Sequence, residues 1–170
     1  MDNITHALTG VLAGRLLPDD TADPSGKGAP GRSPKTGRAV FWTLLISANL
    51  PDIDVVANLF VDPLTSLAYH RSFTHSFLAI PLLALAPAFI VHLVSARGGF
   101  GRLWIYAMIG ILTHILLDLI TPYGTQVLYP VSDTRFSLDW MFIIDPWFTG
   151  GLSLLLALGK IFPRGRRWLG

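Results

Sequence analysis

The sequence predicts an all-α protein, an integral membrane helical bundle with about four transmembrane helices and a short apolar helix near the N-terminus. Charged residues make up 14% of the 170 residues and the mean hydropathy is +0.51, whereas soluble chains carry about 25% charged residues. Apolar runs close to the length of a bilayer crossing recur along the chain,. The length suits a single domain over residues 1–170,.

The composition also excludes several kinds of chemistry. The chain contains no cysteine, so disulfides, thiolate nucleophiles and zinc–thiolate sites are ruled out,. Its net charge is only +2, which is too small to indicate a nucleic-acid partner.

The first apolar segment, residues 4–17, predicts a short helix with Asp2 or Asn3 as its N-cap,. At fourteen residues it is short for a bilayer crossing, so the sequence leaves open whether it spans the membrane. Residues 18–38 are rich in Gly, Pro and Ser and predict a flexible loop,.

Four spans are predicted after this loop. The first covers residues 39–60, where Pro51 and two aspartates should break or kink the helix,. The second, residues 77–95, contains two prolines as kink points, which membrane helices tolerate,. The third covers residues 103–121, and the last apolar segment runs over residues 141–161.

The third span carries the pair of residues around which the predicted site is arranged. His114 and Asp118 lie four residues apart and therefore share one face of the helix,. An ionisable residue at the centre of a membrane helix costs roughly 2.5–3.5 kcal/mol, which favours a functional role. An imidazole nitrogen and a carboxylate oxygen can hold one metal ion. The alternative is a structural pair in which Asp118 fixes the tautomer of His114.

Further side chains of the same type occur elsewhere in the chain. They are His6, Asp52, Asp54, His70 and His75. Two carboxylates beside a membrane segment favour metal ligation over the alternative of capping a helix turn. The two histidines belong to the connector HRSFTHS, where the alternative is a pair of ordinary surface histidines. For His6 the alternative is a polar residue at the membrane surface.

Basic residues are distributed unequally between the two sides of the four predicted spans. One side receives ten of them: Lys27, Arg32, Lys35, Arg38, Arg97, Arg102, Lys160, Arg164, Arg166 and Arg167. The other side receives only Arg71 and Arg135. The positive-inside rule then places the 18–38 loop and the C-terminus in the cytoplasm. The candidate ligands lie toward the outer face, together with Asp139 and Asp145, for which both ligation and helix capping stay open.

Several short motifs occur in a fixed order along the chain. They are MDNITH at residues 1–6, LPDID at 50–54, HRSFTHS at 70–76, THILLDL at 113–119 and TPYG at 121–124. In these motifs the sequence resembles the bacterial inner-membrane, metal-dependent hydrolase family labelled LexA-regulated or YdjM-like. The resemblance covers residues 1–147 and implies a membrane-bound hydrolase with a His/Asp metal site.

These observations lead to an expected function. The seven candidate ligands offer nitrogen and oxygen donors for one or two divalent ions, with Zn²⁺ as the first choice and Mn²⁺ or Fe as alternatives. Such ions activate water and bind phosphoryl oxygens. Arg71 and His75 are the expected catalytic residues, with Arg71 placed to pair with a phosphate. A site at the outer membrane boundary suggests membrane lipids as partners and a lipid or lipid-linked phosphoester as substrate.

Two other classes of protein remain as alternatives. A non-enzymatic membrane protein, such as a metal transporter or a metal-stabilised scaffold, would also place His and Asp in a membrane. The cytoplasmic half of each predicted span is nearly free of polar residues, which favours an enclosed outer site over a transport path. A soluble helical bundle with a polar core network is the third possibility.

Overall fold

A computed structural model describes residues 1–16, 34–57, 60–62, 65–66, 69–95 and 99–161. Within these ranges the regular structure is helical, apart from one isolated antiparallel bridge between Thr125 and Phe136. Seven α-helices follow one another there: α1 (Asn3–Leu16), α2 (Pro34–Ser47), α3 (Asp54–Ala57), α4 (Ile80–Leu83), α5 (Leu85–Ser95), α6 (Phe100–Leu119) and α7 (Pro146–Ile161). The all-α prediction is confirmed for this part of the chain.

The N-terminal helix forms as predicted, as α1. The predicted loop at residues 18–38 is wrong at its end, because α2 already begins at Pro34. A proline is compatible with the first turn of a helix, since its missing N–H would have no intrahelical partner there. The rest of that predicted loop lies outside the described residues.

The first predicted span, residues 39–60, is interrupted at the predicted position. α2 ends at Ser47, because Pro51 has no N–H to bond to the carbonyl of Ser47 four residues earlier,. The chain continues through a 3₁₀ turn, Pro51–Ile53, into the single turn of α3. The predicted break therefore occurs, and it moves Asp52 onto a tight turn at the end of α2.

Among the residues that the structure describes, two segments are long and apolar enough to cross a membrane, namely Phe77–Ser95 and Phe100–Leu119. The first contains the predicted interruption: a 3₁₀ turn and α4 lead to a turn at Ala84, and α5 follows. Pro87 explains why the helix is interrupted at Ala84, because proline has no N–H to donate to the carbonyl oxygen of Leu83,. Two other apolar helical stretches are shorter, at 10–17 residues. The described residues therefore contain two candidate spans, whereas the sequence predicted four.

The last helix begins at Pro146, inside the predicted apolar segment of residues 141–161. Asp145 caps it: the Phe148 N–H donates to Asp145 Oδ1 over 2.9 Å, and proline takes the first helical position. The open question about Asp145 is thereby answered in favour of a cap. Asp139 is exposed on the surface.

Helices α2 and α6 pack closely in the core. A Cβ added at Gly110 of α6 would lie 2.2 Å from Ser47 Oγ and 3.2 Å from the Leu44 carbonyl oxygen, so the crossing depends on the absence of a side chain there. This approach brings the residue after α2, Ala48, against the inner face of α6. The outer faces of the two candidate spans expose large apolar side chains such as Val94 (83% exposed), as expected for contact with lipid.

Candidate metal centre

His114 and Asp118 lie one turn apart on the buried face of α6, near its C-terminal end. His114 Nδ1 is 2.7 Å from the carbonyl oxygen of Ala48. A carbonyl can only accept a hydrogen bond, so Nδ1 carries the proton and donates. In a neutral imidazole this leaves Nε2 as the nitrogen with a free lone pair. The close packing of α2 on α6 therefore sets which nitrogen of His114 can bind a cation.

Four ligand atoms, from Asp52, His75, His114 and Asp118, lie within 4.8 Å of one another. His114 Nε2 is 3.1 Å from His75 Nε2 and 3.4 Å from Asp118 Oδ2, and His75 Nε2 is 3.1 Å from Asp118 Oδ2. Asp52 Oδ1 lies 3.6 Å from His75 Nε2 and 3.5 Å from His114 Nε2. The ligands of a tetrahedral zinc ion are about 3.3–3.6 Å apart, from the usual bond lengths. The cluster therefore has the size of a single metal site.

A buried carboxylate oxygen of the cluster lacks a hydrogen-bond partner, which supports this assignment. Asp118 Oδ2 is buried and makes no hydrogen bond, although His75 Nε2 and His114 Nε2 lie 3.1 Å and 3.4 Å from it. The two Nε2 atoms also face each other over 3.1 Å. A buried carboxylate oxygen without a hydrogen bond, close to two imidazole nitrogens, is unfavourable unless a proton or a cation lies between them. These donors fit a borderline metal such as Zn²⁺, and Mn²⁺ or Fe would accept them as well.

Burial opposes the charged form of Asp52, but the proximity of the His114 and His75 rings outweighs this effect and holds its pKa below the usual range for a carboxyl,. Asp52 is thus ionised at neutral pH, as a metal ligand must be. Its side chain is 10% exposed, whereas the side chains of the other three residues are fully buried. The open side of the cluster therefore lies at Asp52.

His6 borders the cluster. Its ring stacks on that of His114, with centroids 3.7 Å apart, and its Nε2 lies 3.4 Å from Asp118 Oδ1. Both ring nitrogens of His6 are buried without a hydrogen bond. Helix α1 thus places His6 beside the four-residue cluster, as the sequence predicted, although outside the group of atoms closest to one another.

Asp54 and His70 form an outer layer instead of joining the four ligand atoms. His70 Nδ1 is 3.1 Å from Asp54 Oδ2, and the Arg71 backbone N–H donates to the same oxygen over 3.1 Å. Burial favours the neutral form of Asp54, but these partners, His70 foremost, lower the pKa of the carboxyl below its ordinary value,. This geometry indicates that Asp54 and His70 hold the connector at residues 70–76 in place.

Arg71 is buried and has a positive φ of 59°, a conformation that non-glycine residues rarely adopt. Its Nη2 pairs with Asp118 Oδ1 over 3.0 Å, and its Nη1 donates to Thr121 Oγ1 over 3.0 Å. The amino group of Met1 contacts the same oxygen of Asp118. The sequence predicted that Arg71 pairs with a substrate phosphate. In the structure Arg71 pairs with Asp118, a candidate metal ligand. The positive charge beside Oδ1 disfavours a second cation there.

Three contributors to the site were absent from the sequence-based prediction. They are the Ala48 carbonyl, the Thr74 hydroxyl and the Thr121 hydroxyl. A backbone carbonyl leaves no signal in a sequence. The two threonines had one available signal, because Thr74 directly precedes His75 and Thr121 opens the TPYG motif.

A helical chain with two candidate membrane spans and a buried His/Asp cluster at one end of them is a membrane protein with a candidate metal centre. The chain belongs to the YdjM inner membrane protein family, which matches residues 1–170. The resemblance recognised in the motifs is thereby confirmed.

Two curated relatives are similar to the chain. Inner membrane protein YbcI of Escherichia coli (strain K12) is 37% identical over 108 residues, which cover 58% of this chain and 58% of that protein. Uncharacterized protein YfhP of Bacillus subtilis (strain 168) is 28% identical over 176 residues, covering 93% of this chain and 51% of YfhP. The chain thus spans between half and three-fifths of the length of these relatives. No solved structure matches it.

Proposed function

We propose that the protein is a membrane-bound, metal-dependent hydrolase that acts on a phosphoester carried by a lipid or a lipid-linked molecule. The observation that carries the proposal is the cluster of Asp52, His75, His114 and Asp118, whose separations suit one divalent ion. Zn²⁺ is the first candidate for that ion, with Mn²⁺ or Fe as alternatives.

A divalent ion held by these residues would lower the pKa of a bound water and polarise a phosphoryl oxygen. Arg71 holds Asp118 in place, and the Ala48 carbonyl holds His114. Asp52, as the ligand with solvent access, marks the side from which substrate and water reach the centre. In the net reaction, water adds to phosphorus, the phosphorus–oxygen ester bond breaks, and the leaving alcohol gains a proton.

The surroundings of Asp52 support a lipid substrate. Ile53 in the same turn and Val55 and Val56 in α3 are 53%, 50% and 56% exposed. Apolar side chains at the open side of a polar centre suit a substrate with a charged head group and an acyl or isoprenyl chain. A water-soluble phosphoester would gain nothing from them.

The reaction is tested with the detergent-purified, Zn²⁺-loaded chain and vesicles that contain phosphatidic acid, phosphatidylglycerol or an isoprenyl phosphate. We expect release of phosphate or head group from at least one lipid class. Asp52→Ala should lower the rate on the order of 100-fold, since even the outer partners of a metal site are worth about 10–100-fold. Asp133→Ala, which changes an exposed aspartate outside the cluster, is the matched control. Absence of release from every class, with Zn²⁺ and with Mn²⁺, would rule out the proposed reaction.

We further propose that the centre faces the outer side of the membrane and the C-terminus the cytoplasm. Three helices carry a basic residue at the end away from the cluster: Arg15 in α1, Arg38 in α2 and Arg102 in α6. His6, Ala48 and Asp118 lie at or beside the opposite ends of the same helices. The positive-inside rule places the basic ends in the cytoplasm.

The absence of cysteine from the chain allows this orientation to be tested with single cysteines. Asp133→Cys lies in the segment after α6, on the side of the cluster, and Gly99→Cys lies directly before α6; both positions are exposed. In intact spheroplasts, a membrane-impermeant maleimide should label Cys at 133 at once and Cys at 99 only after permeabilisation. The reverse pattern would place the centre on the cytoplasmic side.

The alternative of a metal transporter has less support. In the part of the chain that the structure describes, the buried ionisable side chains are His6, Arg71, His75, His114 and Asp118. They gather at one end of the candidate spans, whereas a transport path needs polar groups along its length. Uptake of Zn²⁺ by proteoliposomes that contain the protein would favour the transporter.

A further inference from the structure

The connector that carries His75 is organised around one carboxylate oxygen. Asp54 Oδ2 is 3.1 Å from His70 Nδ1 and 3.1 Å from the Arg71 backbone N–H, and it accepts a longer hydrogen bond, 3.4 Å, from Thr74 Oγ1. Thr74 Oγ1 also lies 2.9 Å from His75 Nδ1. Thr74 therefore contacts both the carboxylate of Asp54 and the ring of His75, a candidate metal ligand.

The donors and acceptors in this chain of contacts can be assigned. An ionised carboxylate only accepts hydrogen bonds, and a hydroxyl has one hydrogen to give. When Thr74 gives its hydrogen to Asp54, its oxygen accepts a hydrogen from His75 Nδ1. In the reverse arrangement, the Thr74 oxygen would turn a lone pair toward a carboxylate that is 13% exposed, which is unfavourable. Asp54 Oδ2 is also 3.9 Å from His75 Nδ1, and its negative charge favours a hydrogen on that nitrogen.

A hydrogen on Nδ1 leaves the lone pair of His75 on Nε2, the atom that faces His114 Nε2 and Asp118 Oδ2. His114 also carries its hydrogen on Nδ1, because this nitrogen donates to the Ala48 carbonyl oxygen. Both histidines thus present the same nitrogen to the centre of the cluster, one fixed by a backbone carbonyl and the other by a hydroxyl.

We propose that Thr74, oriented by Asp54, is a positioning residue that fixes His75 in the tautomer able to bind a cation through Nε2. Asp54 then acts through Thr74 and is not itself a ligand, and His70 keeps Asp54 in place. The proposal rests on the metal site of the proposed function. Partners of this kind orient the ligands in metal sites, and their loss weakens metal binding by about 10–100-fold.

The test compares two variants of the full chain in detergent. Thr74→Val keeps the branched shape and removes the hydroxyl, whereas Thr74→Ser keeps the hydroxyl and removes a methyl group. Zn²⁺ affinity is measured by competition with a chromophoric chelator. We expect Thr74→Val to bind Zn²⁺ about 10–100-fold more weakly than the wild-type chain, and Thr74→Ser to bind nearly as well as wild type. Asp54→Asn should also weaken binding, because the amide is a poorer acceptor for the Thr74 hydroxyl.

Two further measurements separate positioning from a loss of structure. The imidazole ¹⁵N spectrum of the metal-free protein should show the Nδ1–H tautomer of His75 in the wild type and in Thr74→Ser, and its loss in Thr74→Val. Thermal unfolding of the metal-free variants checks that each is folded, and Thr74→Ala replaces Thr74→Val if the latter is not. Equal Zn²⁺ affinity in Thr74→Val and Thr74→Ser would overturn the inference and leave the metal site standing. A folded wild-type chain that binds no metal would overturn the proposed function and this inference together.

Discussion

Replacing His114 and Asp118 together by alanine is expected to abolish metal binding. The wild-type chain, purified in detergent and dialysed against trace Zn²⁺, should retain about one equivalent by mass spectrometry, because its cluster suits a single four-coordinate ion. The double variant loses two of the four donors, both on α6. The Asp52 and His75 donors that remain are too few to hold the ion alone.

The matched control for this prediction is His92→Ala combined with Asp133→Ala. It removes the same two residue types, one from α5 and one from the segment after α6, at positions outside the cluster. This control should retain its metal. A well-folded wild-type chain that holds no metal, even after reconstitution with Zn²⁺ and Mn²⁺, would make the cluster a polar structural network, and the hydrolase proposal would be abandoned.

A valine in place of Gly110 is expected to destabilise the protein strongly. The first carbon of the new side chain would already lie 2.2 Å from Ser47 Oγ, and that hydroxyl donates to the Thr43 carbonyl over 2.6 Å. Helix α2 would have to move away from α6. Overpacking in a core costs typically about 1–3 kcal/mol, and occasionally more, and a clash that includes backbone belongs at the upper end. The Ala48 carbonyl would withdraw from His114, so Zn²⁺ affinity should fall as well.

Gly101→Val is the control, because it places the same residue in the same helix where an added Cβ meets nothing within 4 Å. The change in helix propensity is then similar in both variants. Thermal unfolding in detergent should show a large drop for Gly110→Val and a small one for Gly101→Val. Equal unfolding temperatures would mean that α2 and α6 do not pack as closely as described.

Much of the site could be predicted from the sequence, because the spacing of residues along a helix determines which of them share a face. A spacing of four residues between His114 and Asp118 places both on one helical face wherever the helix ends. A proline beside Asp52 breaks a helix whatever surrounds it. The sequence therefore predicted the helix of the centre, the break beside it, and all four residues of the cluster.

What the sequence could not predict depends on side-chain directions outside regular helices. Asp52 and Asp54 are two residues apart and chemically identical, yet only Asp52 joins the cluster, because the 3₁₀ turn aims the two carboxylates at different neighbours. Arg71 reaches Asp118 from a connector with a positive φ. The start of α2 at residue 34 was missed because apolar runs show where a helix can be buried, while prolines and caps decide where it starts.

The order of the four cluster residues along the chain has a consequence for biosynthesis. Asp52 and His75 are translated before α6, whereas His114 and Asp118 are near its end. A nascent chain carries the complete donor set only once Asp118 has been synthesised. A cation held by all four residues can therefore be acquired only after α6 has been synthesised. Loading would then be a late maturation step, and metal-starved cells would accumulate chains that are inserted but still empty.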